Sequence, residues 1–498
     1  MKYSRHLIAF LIALLFSWLF FERSAGINIF IFDTSLLAAI FFLQKEKLKS
    51  NSVRLFLFGV FSSSLFVVLH NSAWSIFIHH FSVFLLGGAL AASHLKSVVS
   101  IMVASFVNAV LSIREYVTTR VPRTEAKHPA FRVLNVLRIS AIPIIVIAIF
   151  GTLYANASPW FNRFWSELQH FFYNIFGDLL DIISFTWFFT FVLGMLITVF
   201  LLFAKSTQSV DTIEDDQPDE LANSTYPNES ADFLKRERQI AILLFASLNL
   251  MLFGQNTLDL THVWFGFNWN GAYLKQFVHE GTWLLIISII LSAVLLLYYF
   301  RGHQNFLENN KVLRILAYVF IGQNMLLAAS VAVRNIWYID YFNLAFKRIG
   351  VFFFLAAVIY GLFSIYQKVA AQKTIYYLMR KNSVVVYLLL LFISFANWDN
   401  IIARYNFAHA EKAYVHLNFL EKLNDSALPY LNQPIDKLRE VKQEQDASYG
   451  RDKYALSPED YTANINSRIE RFLEKYHERD WLEWNYADWH AYKLLESR

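Results

Sequence analysis

Stretches of about 17–25 apolar residues recur along this chain, and they limit its fold more than any other feature of the sequence. Each stretch is long enough to cross a hydrocarbon layer of about 30 Å as a helix. Because lipid offers the backbone no hydrogen-bond partner, such segments must be helical. The composition agrees, since 56% of the 498 residues are hydrophobic and 17% are aromatic. The sequence therefore predicts an all-α fold, a polytopic transmembrane helical bundle.

We predict about eleven membrane spans from the apolar stretches. They are Leu7–Phe21, Ile27–Leu43, Val53–Leu69, Ala73–Ser93, Leu134–Tyr154, Ile182–Ala204, Gln239–Gly254, Gln276–Phe300, Lys311–Val333, Ile349–Tyr366 and Ser383–Trp398. A further stretch, Ser97–Ile113, is predicted to be an interfacial helix, because the basic segment after it would otherwise lie outside. The first stretch could also be a cleaved signal peptide, but the bulky residues before Ser24-Ala25-Gly26 favour an uncleaved helix.

Changes in composition divide the chain into three regions. Residues 1–130 form an N-terminal four-span region with the interfacial helix, and residues 131–398 form a membrane core of about seven spans. Within that core, residues 205–238 are rich in Asp and Glu, which predicts a flexible acidic loop. Residues 399–498 are polar, and Ser457-Pro458-Glu459-Asp460 is typical of a helix start. This last region predicts a small α-helical domain.

Lysine and arginine are distributed unequally between the two sides of the predicted bundle. About 24 lie on the side of the N-terminus and about 6 on the opposite side. Positive charge collects on the cytoplasmic side of membrane proteins, so the N-terminus is predicted to lie inside. An odd number of spans then places the C-terminal domain outside, as an extracytoplasmic domain.

Nine polar residues are predicted to gather at the outer ends of spans seven to eleven. They are Asp259, His279, Glu280, Arg334, Asp340, Lys347, Arg348, Asp399 and Arg404. Ionisable residues near a membrane usually pair and often mark a functional site. The cations predict a binding site for an anionic lipid or a small anionic ligand.

The alternative for this predicted cluster is a structural role. Its members would then pair with one another and hold the helix ends together. Glu280 is the expected acid partner of Arg334, and Asp340 is the expected acid partner of Arg348.

Deeper in the spans the polar residues are few. Asn249 and Gln323-Asn324 predict side-chain hydrogen bonds between helices. The adjacent His79 and His80 are expected either to bond between helices or to lie at the surface. Asp33 is the lone buried acid of the N-terminal half. It is expected either to pair with a nearby polar group or to titrate in a proton relay.

Several kinds of chemistry are disfavoured by what the sequence lacks. The chain has no cysteine, which removes disulfides and thiolate catalysis. It has no glycine-rich phosphate loop, and the residues after His279-Glu280 do not include the second histidine of a zinc protease. We therefore predict no cofactor and no metal. The net charge of +5 is explained by loop cations and requires no nucleic acid partner.

Five segments resemble a family of bacterial multi-pass membrane proteins that is defined only by domains of unknown function. They are Arg132–Arg138, Phe277–Gly281, Leu344–Gly350, Asn397–Asn406 and Leu423–Pro429. The resemblance runs from about Arg132 to the C-terminus and implies an uncharacterised protein of the bacterial cell envelope, in the cytoplasmic (inner) membrane. The resemblance does not imply any particular reaction.

Three functions are compatible with these observations. We favour transport or sensing, with the polar cluster as the site, and a protein that is not an enzyme. One alternative is a membrane enzyme that acts on a lipid-linked or anionic substrate at the outer face. Another is a scaffold subunit that presents its C-terminal domain to an envelope protein partner. The lipid bilayer is a partner in all three.

The charge distribution generates a topology prediction. Reporter fusions after Lys49, Lys127, Asp216 and Lys373 should report the cytoplasm, and fusions after Thr261 and at Arg498 should report the opposite side. Enzymatic reporters that are active on one side of the membrane measure this directly. A cytoplasmic signal from the C-terminus would contradict the eleven-span count.

Overall fold

The structure is a computed structural model, and it describes most of the chain. It covers residues 2–119, 147, 150–151, 154–155, 157–180, 185–222, 231–265, 273–307, 310–449 and 455–497. Side chains are not described at residues 2–4, 169–170, 172–180, 185, 231, 273–282 and 449. The predicted span Leu134–Tyr154 therefore lies mostly outside the described residues.

The described residues are almost entirely helical, as the apolar stretches predict. The helices are α1 (Lys2–Phe20), α2 (Ile27–Leu43), α3 (Asn51–His70), α4 (Ala73–Ala91), α5 (Val98–Thr118), α6 (Pro159–Leu180), α7 (Phe185–Leu202), α8 (Gln208–Asp211), α9 (Ala231–Asp259), α10 (Tyr273–Tyr299), α11 (Lys311–Phe342), α12 (Phe346–Ala370), α13 (Ile375–Ile393), α14 (Trp398–Ala408), α15 (Leu417–Leu420), α16 (Leu428–Leu431), α17 (Ile435–Tyr449), α18 (Pro458–Glu478) and α19 (Tyr486–Glu496). The only β contact among them is an isolated bridge between Glu220 and Lys373.

Seven of the described helices are long and apolar enough to cross a membrane. They are α3, α4, α5, α9 with the turn after it, α11, α12 and α13. Shorter apolar helices lie within α1, α2, α7 and α10. Many large apolar side chains on these helices point outward, among them Phe42, Phe58 and Leu250. Outward apolar surface of this extent fits a lipid environment, whereas the count of about eleven spans stays a prediction.

The helices form two bundles, each with its own core. The first bundle contains α1–α5 and α7, and its buried side chains include Phe32, Phe56 and Leu85. The second contains α9–α13, and its buried side chains include Phe245, Phe320 and Leu362. Because lipid tails are as apolar as leucine, close packing and interhelical hydrogen bonds hold such helices together.

Helix α5 lies across one end of the first bundle. At its start, the Ser97 amide donates to Glu214 Oε1 at 2.9 Å. Near its end, Tyr116 O lies 3.4 Å from the His6 ring, and Glu115 lies 3.7 Å from Lys205 Nζ. Both ends of α5 therefore meet residues on the same side of the bundle. This placement supports the predicted interfacial helix, although the length and hydropathy of α5 alone would allow a span.

The C-terminal segment folds into helices α14–α19 on the opposite side, which we call the domain side. Ser457 caps α18 by accepting a hydrogen bond from the Asp460 amide at 3.0 Å, so the predicted helix start is confirmed. The buried side chains of this segment, for which we keep the predicted name of C-terminal domain, form one core with Ile349 of α12. The domain is thereby packed on the end of the second bundle.

The same domain also contacts the first bundle, at the turn between α1 and α2. Arg23 Nε lies 2.7 Å from Asp480 Oδ2, and the Ile27 amide donates to Trp484 O at 2.9 Å. Gly26 lies so close to Glu483 that an added Cβ would stand 2.4 Å from its carbonyl carbon. The domain therefore rests on both bundles.

Residues 205–222, which we call the strap, cross the other end of the molecule, the strap side. Glu214 accepts hydrogen bonds from the Lys96 and Ser97 amides of the first bundle. Asp219 and Glu220 form ion pairs with Arg380 and Lys373 of the second bundle. These contacts differ from the flexible loop that the acidic composition predicts, because these three acids each meet a donor from a distant part of the chain. Residues 223–230 lie outside the described residues.

The close fit at Gly26 generates a prediction about the domain. Replacing Gly26 by alanine should destabilise its docking by about 1–3 kcal/mol, because the new methyl group would meet the Glu483 backbone. Hydrogen exchange of the Ile27 amide and thermal unfolding in detergent measure this change.

Gly350 provides the matched control. It lies in α12 near the same side, and an added Cβ would meet no atom within 4 Å. Gly350→Ala should be neutral or stabilising, since alanine is the better helix former. Equal losses in both variants would contradict the close contact at Gly26.

Candidate functional site

A buried ion pair joins α9 to α11 near the domain side. Arg334 Nη2 lies 2.5 Å from Asp259 Oδ1, and the two side chains are only 6% and 2% exposed. Gln255 Nε2 also donates to Asp259 Oδ1, at 2.9 Å. Oδ2 of the same carboxylate has no hydrogen-bond partner among the described residues. At this depth the paired charges stabilise one another, whereas either charge left buried without its partner would be costly.

The backbone beside Asp259 leaves the α-helical pattern. Helix α9 continues into a π-helical turn, Leu260–Trp264. Single π-helical turns are rare and occur often at functional sites. Here the turn places Val263 and Trp264 against α11 immediately after the acid of the pair.

Helix α11 binds that turn on the same face that carries Arg334. Trp264 Nε1 donates to Ser330 Oγ at 3.0 Å, and Trp337 Nε1 donates to Val263 O at 2.8 Å. Ser330, Arg334 and Trp337 are spaced four and three residues apart, so they share one helix face. The ion pair is therefore held between two tryptophan hydrogen bonds.

Closer to the strap side than the ion pair, amide side chains connect the same two helices. Gln323 Nε2 donates to Asn249 Oδ1 at 2.8 Å, Asn249 Nδ2 donates to Leu316 O at 3.0 Å, and Asn256 Nδ2 donates to Gln323 O at 3.1 Å. The predicted bridging by Asn249 and Gln323 is confirmed. These bonds align α9 with α11 and so place Asp259 opposite Arg334.

Arg348 takes a different role from the one we expected. Its guanidinium donates to the carbonyl of Phe342, at 2.6 Å, and to that of Asn343, and it lies 4.4 Å from the Tyr338 ring centre. Asp340 is exposed and forms no ion pair among the described residues. The predicted Arg348–Asp340 pair is thus replaced by contacts with the end of α11, because the carbonyls there are not used within the helix.

The remaining predicted site residues are spread over the domain side. Lys347 is exposed. Arg404 is also exposed and lies 5.3 Å from the Tyr430 ring centre. Asp399 accepts a hydrogen bond from the Asn424 amide at 2.9 Å, and burial raises the pKa of its carboxyl. The structure does not bring these three residues to the Asp259–Arg334 pair.

Two predicted site residues cannot be placed. The side chains of His279 and Glu280 lie outside the described residues. The pairing of Glu280 with Arg334 therefore stays a prediction. Among the described side chains, Asp259 is the acid partner of Arg334, and the sequence did not single out that pair.

A second buried pair lies in the first bundle. Asp33 Oδ2 is 3.5 Å from His79 Nδ1, and Ser63 Oγ is also 3.5 Å from that nitrogen. This agrees with the expectation that Asp33 pairs with a nearby polar group. His80, next in sequence, is exposed and bonds to Ile76 O instead. Among the described residues no three His, Asp or Glu side chains come together as a metal site would require.

A comparison with known families places the chain. A family model described as "Domain of unknown function (DUF4153)" matches residues 9–433. The prediction of a family defined by domains of unknown function is confirmed. Neither a curated protein nor a solved structure matches the chain.

The buried pair generates a double-mutant prediction. Asp259→Asn or Arg334→Gln alone should cost about 3–5 kcal/mol of stability, because each leaves one charge buried without its partner. The double variant should lose less than the sum of the two single losses. Denaturant unfolding in detergent measures the three values.

Lys347→Gln serves as the control for this cycle. It removes a charge on the same side, but from an exposed side chain, so stability should change by less than about 0.5 kcal/mol. Purely additive losses at positions 259 and 334 would contradict the coupling.

Proposed function

We propose that this chain, which belongs to the DUF4153 family, is a sensor protein of the bacterial cytoplasmic membrane. In this proposal a small anion binds Arg334, and the resulting movement of α11 is passed to the C-terminal domain on the outer side. The observation that supports it is the position of Arg334: one helix carries both the buried cation and the attachment point of the domain.

The chemistry of the pair suits an anion sensor. Arginine presents a planar set of donors that fits carboxylate, sulfate and phosphate groups. In the structure the Asp259 carboxylate is already paired with this guanidinium. It would therefore compete with any external anion for binding to Arg334. Binding an anion would release the Asp259 carboxylate and loosen the contact between α9 and α11.

Helix α11 connects the pair to the domain. It runs unbroken from Lys311 to Phe342, so Arg334 lies about two turns before its end. At that end, the Tyr414 amide donates to Tyr341 O at 2.9 Å, and Asn343 Nδ2 donates to Tyr414 O at 3.2 Å. A rotation or shift of α11 at Arg334 would therefore act on these bonds to the domain.

Sensing is favoured over transport by the contacts between the two bundles. The domain contacts both bundles on one side, and the strap contacts both on the other. Alternating access requires one repeat or bundle to move against the other. Segments that cross between the bundles on both sides oppose such a movement.

A scaffold function is the second candidate. The contacts of Arg23 and Ile27 with the domain support it, because they fix the domain on the first bundle independently of α11. A membrane enzyme has no comparable support from the described geometry.

The sensor proposal can be tested with the full chain in lipid nanodiscs. Acetate, sulfate and inorganic phosphate serve as probes, with thermal unfolding to detect binding and hydrogen exchange at Tyr414 to detect transmission. We expect at least one anion to stabilise the protein and to change exchange at Tyr414. Arg334→Gln should remove both effects, and Asp259→Asn should strengthen anion binding, since it removes the competing carboxylate.

Lys347→Gln is the matched control and should keep both effects. An Arg334→Gln variant that still responds to the anion would contradict the site. Binding that depends on Arg334 but leaves exchange at Tyr414 unchanged would contradict sensing and favour the scaffold function.

A further inference from the structure

A cleft of about 700 Å³ opens on the strap side of the first bundle, away from the Asp259–Arg334 pair. It lies where the ends of α1, α2, α4 and α7 meet. Its charged lining comes from four separate parts of the chain, so no single sequence motif marks it. Its volume is in the range of small-molecule sites, about 300–1,000 Å³.

Two cations are held in this cleft by helix ends. Lys47 Nζ donates to Leu90 O at 2.6 Å, at the end of α4, and Arg5 Nε donates to Leu202 O at 2.7 Å, at the end of α7. Neither side chain forms an ion pair with a carboxylate among the described residues. Carbonyl oxygens at helix C-termini carry only a partial negative charge, so they offset part of the charge of each cation; Glu115 also attracts Arg5.

The acids of the cleft are fewer and mostly engaged. The lining includes the cations Arg5, Lys45, Lys47 and Lys205 and the acids Glu46, Glu115 and Asp211. Glu115 lies 3.7 Å from Lys205 Nζ, and Glu46 lies 2.6 Å from Lys49 Nζ, outside the cleft. Positive charge is therefore in excess around Lys47.

The charges around Lys47 repel one another. Burial, together with the nearby charges of Arg5 and Lys205, lowers the pKa of the Lys47 ammonium to about 8. An anion placed between these cations would reverse that repulsion.

We propose that this cleft binds a phosphate group at the cytoplasmic surface of the membrane. Phosphate presents several acceptor oxygens, which suits one guanidinium and two ammonium groups that line the cleft from different parts of the chain. The phosphate can come from an anionic phospholipid or from a soluble phosphorylated ligand. Phe42, whose side chain is 68% exposed, lines the cleft beside Lys45. An acyl chain could pack on this ring while the headgroup phosphate enters the cleft, so the lipid is the favoured source.

The proposal also sets a pH dependence. Binding needs the protonated form of Lys47, so it should weaken as the pH rises through about 8. The titratable and charged groups that face Lys47 are Arg5, Lys45, Glu46, Glu115, Lys205 and Asp211. Arginine keeps its charge across this range, and burial brings the pKa of Lys47 to about 8, so Lys47 is the group expected to titrate there.

Two arms of one experiment distinguish the sources of phosphate. In the first, the full chain is placed in nanodiscs that mix phosphatidylcholine with phosphatidylglycerol, and the retained lipid is identified by native mass spectrometry. In the second, nanodiscs of phosphatidylcholine alone receive inorganic phosphate or glycerol phosphate, and thermal unfolding reports binding. We expect phosphatidylglycerol to be retained selectively, and Lys47→Gln to weaken its binding on the order of fivefold.

Lys96→Gln is the control, because it removes an exposed cation from the same side that does not line the cleft. If Lys47→Gln fails to fold, Lys205→Gln replaces it, since Lys205 is exposed and lines the cleft. A response to soluble phosphate alone would support the site with the other source. Equal losses for the cleft and control variants, or no response in either arm, would overturn the proposal.

Discussion

Tyr387 of α13 fits into the space left by Gly59 of α3, and this contact holds the two membrane bundles together at mid-depth. An added Cβ at Gly59 would stand 1.7 Å from the Tyr387 hydroxyl, so only glycine permits the approach. The hydroxyl donates to Ser82 Oγ of α4 at 3.0 Å, which satisfies its hydrogen bond away from water. The domain and the strap connect the same two bundles at the ends. Three levels of contact therefore fix how one bundle lies against the other.

The pairing of polar residues inside the bundles follows from the lack of water around membrane helices. In a medium without water each buried donor or acceptor needs a partner from another helix. Asn249 with Gln323 and Asp259 with Arg334 meet this need in pairs, whereas Asp33 lies 3.5 Å from His79 without a hydrogen bond between them. Among them the Asp259–Arg334 pair combines two full charges, a carboxylate oxygen without a described partner and a π-helical turn. That combination separates a candidate site from ordinary helix bridging.

The sequence predicted local features well and non-local partners poorly. Apolar length located the helices, and Ser457 marked the start of α18, because both depend on neighbouring residues. The choice of Asp259 for Arg334 depends on the rotation of α9 against α11, which no local pattern records. The strap shows the same limit: its acids are typical of a flexible loop, yet three of them have partners at the start of α5, on α13 or just before α13. The basic cleft was missed for this reason too, since its lining comes from distant segments.

We propose that the C-terminal domain rests on the first bundle and lies outside the cytoplasmic membrane. The chain has no cysteine, so Arg23→Cys with Asp480→Cys introduces the only two thiols. Treating intact cells with a short bifunctional thiol reagent that cannot cross the membrane tests both contact and side. The account predicts an intramolecular cross-link in the double variant and none in either single variant. A double variant that stays uncross-linked, or reacts only after the membrane is opened, would contradict it.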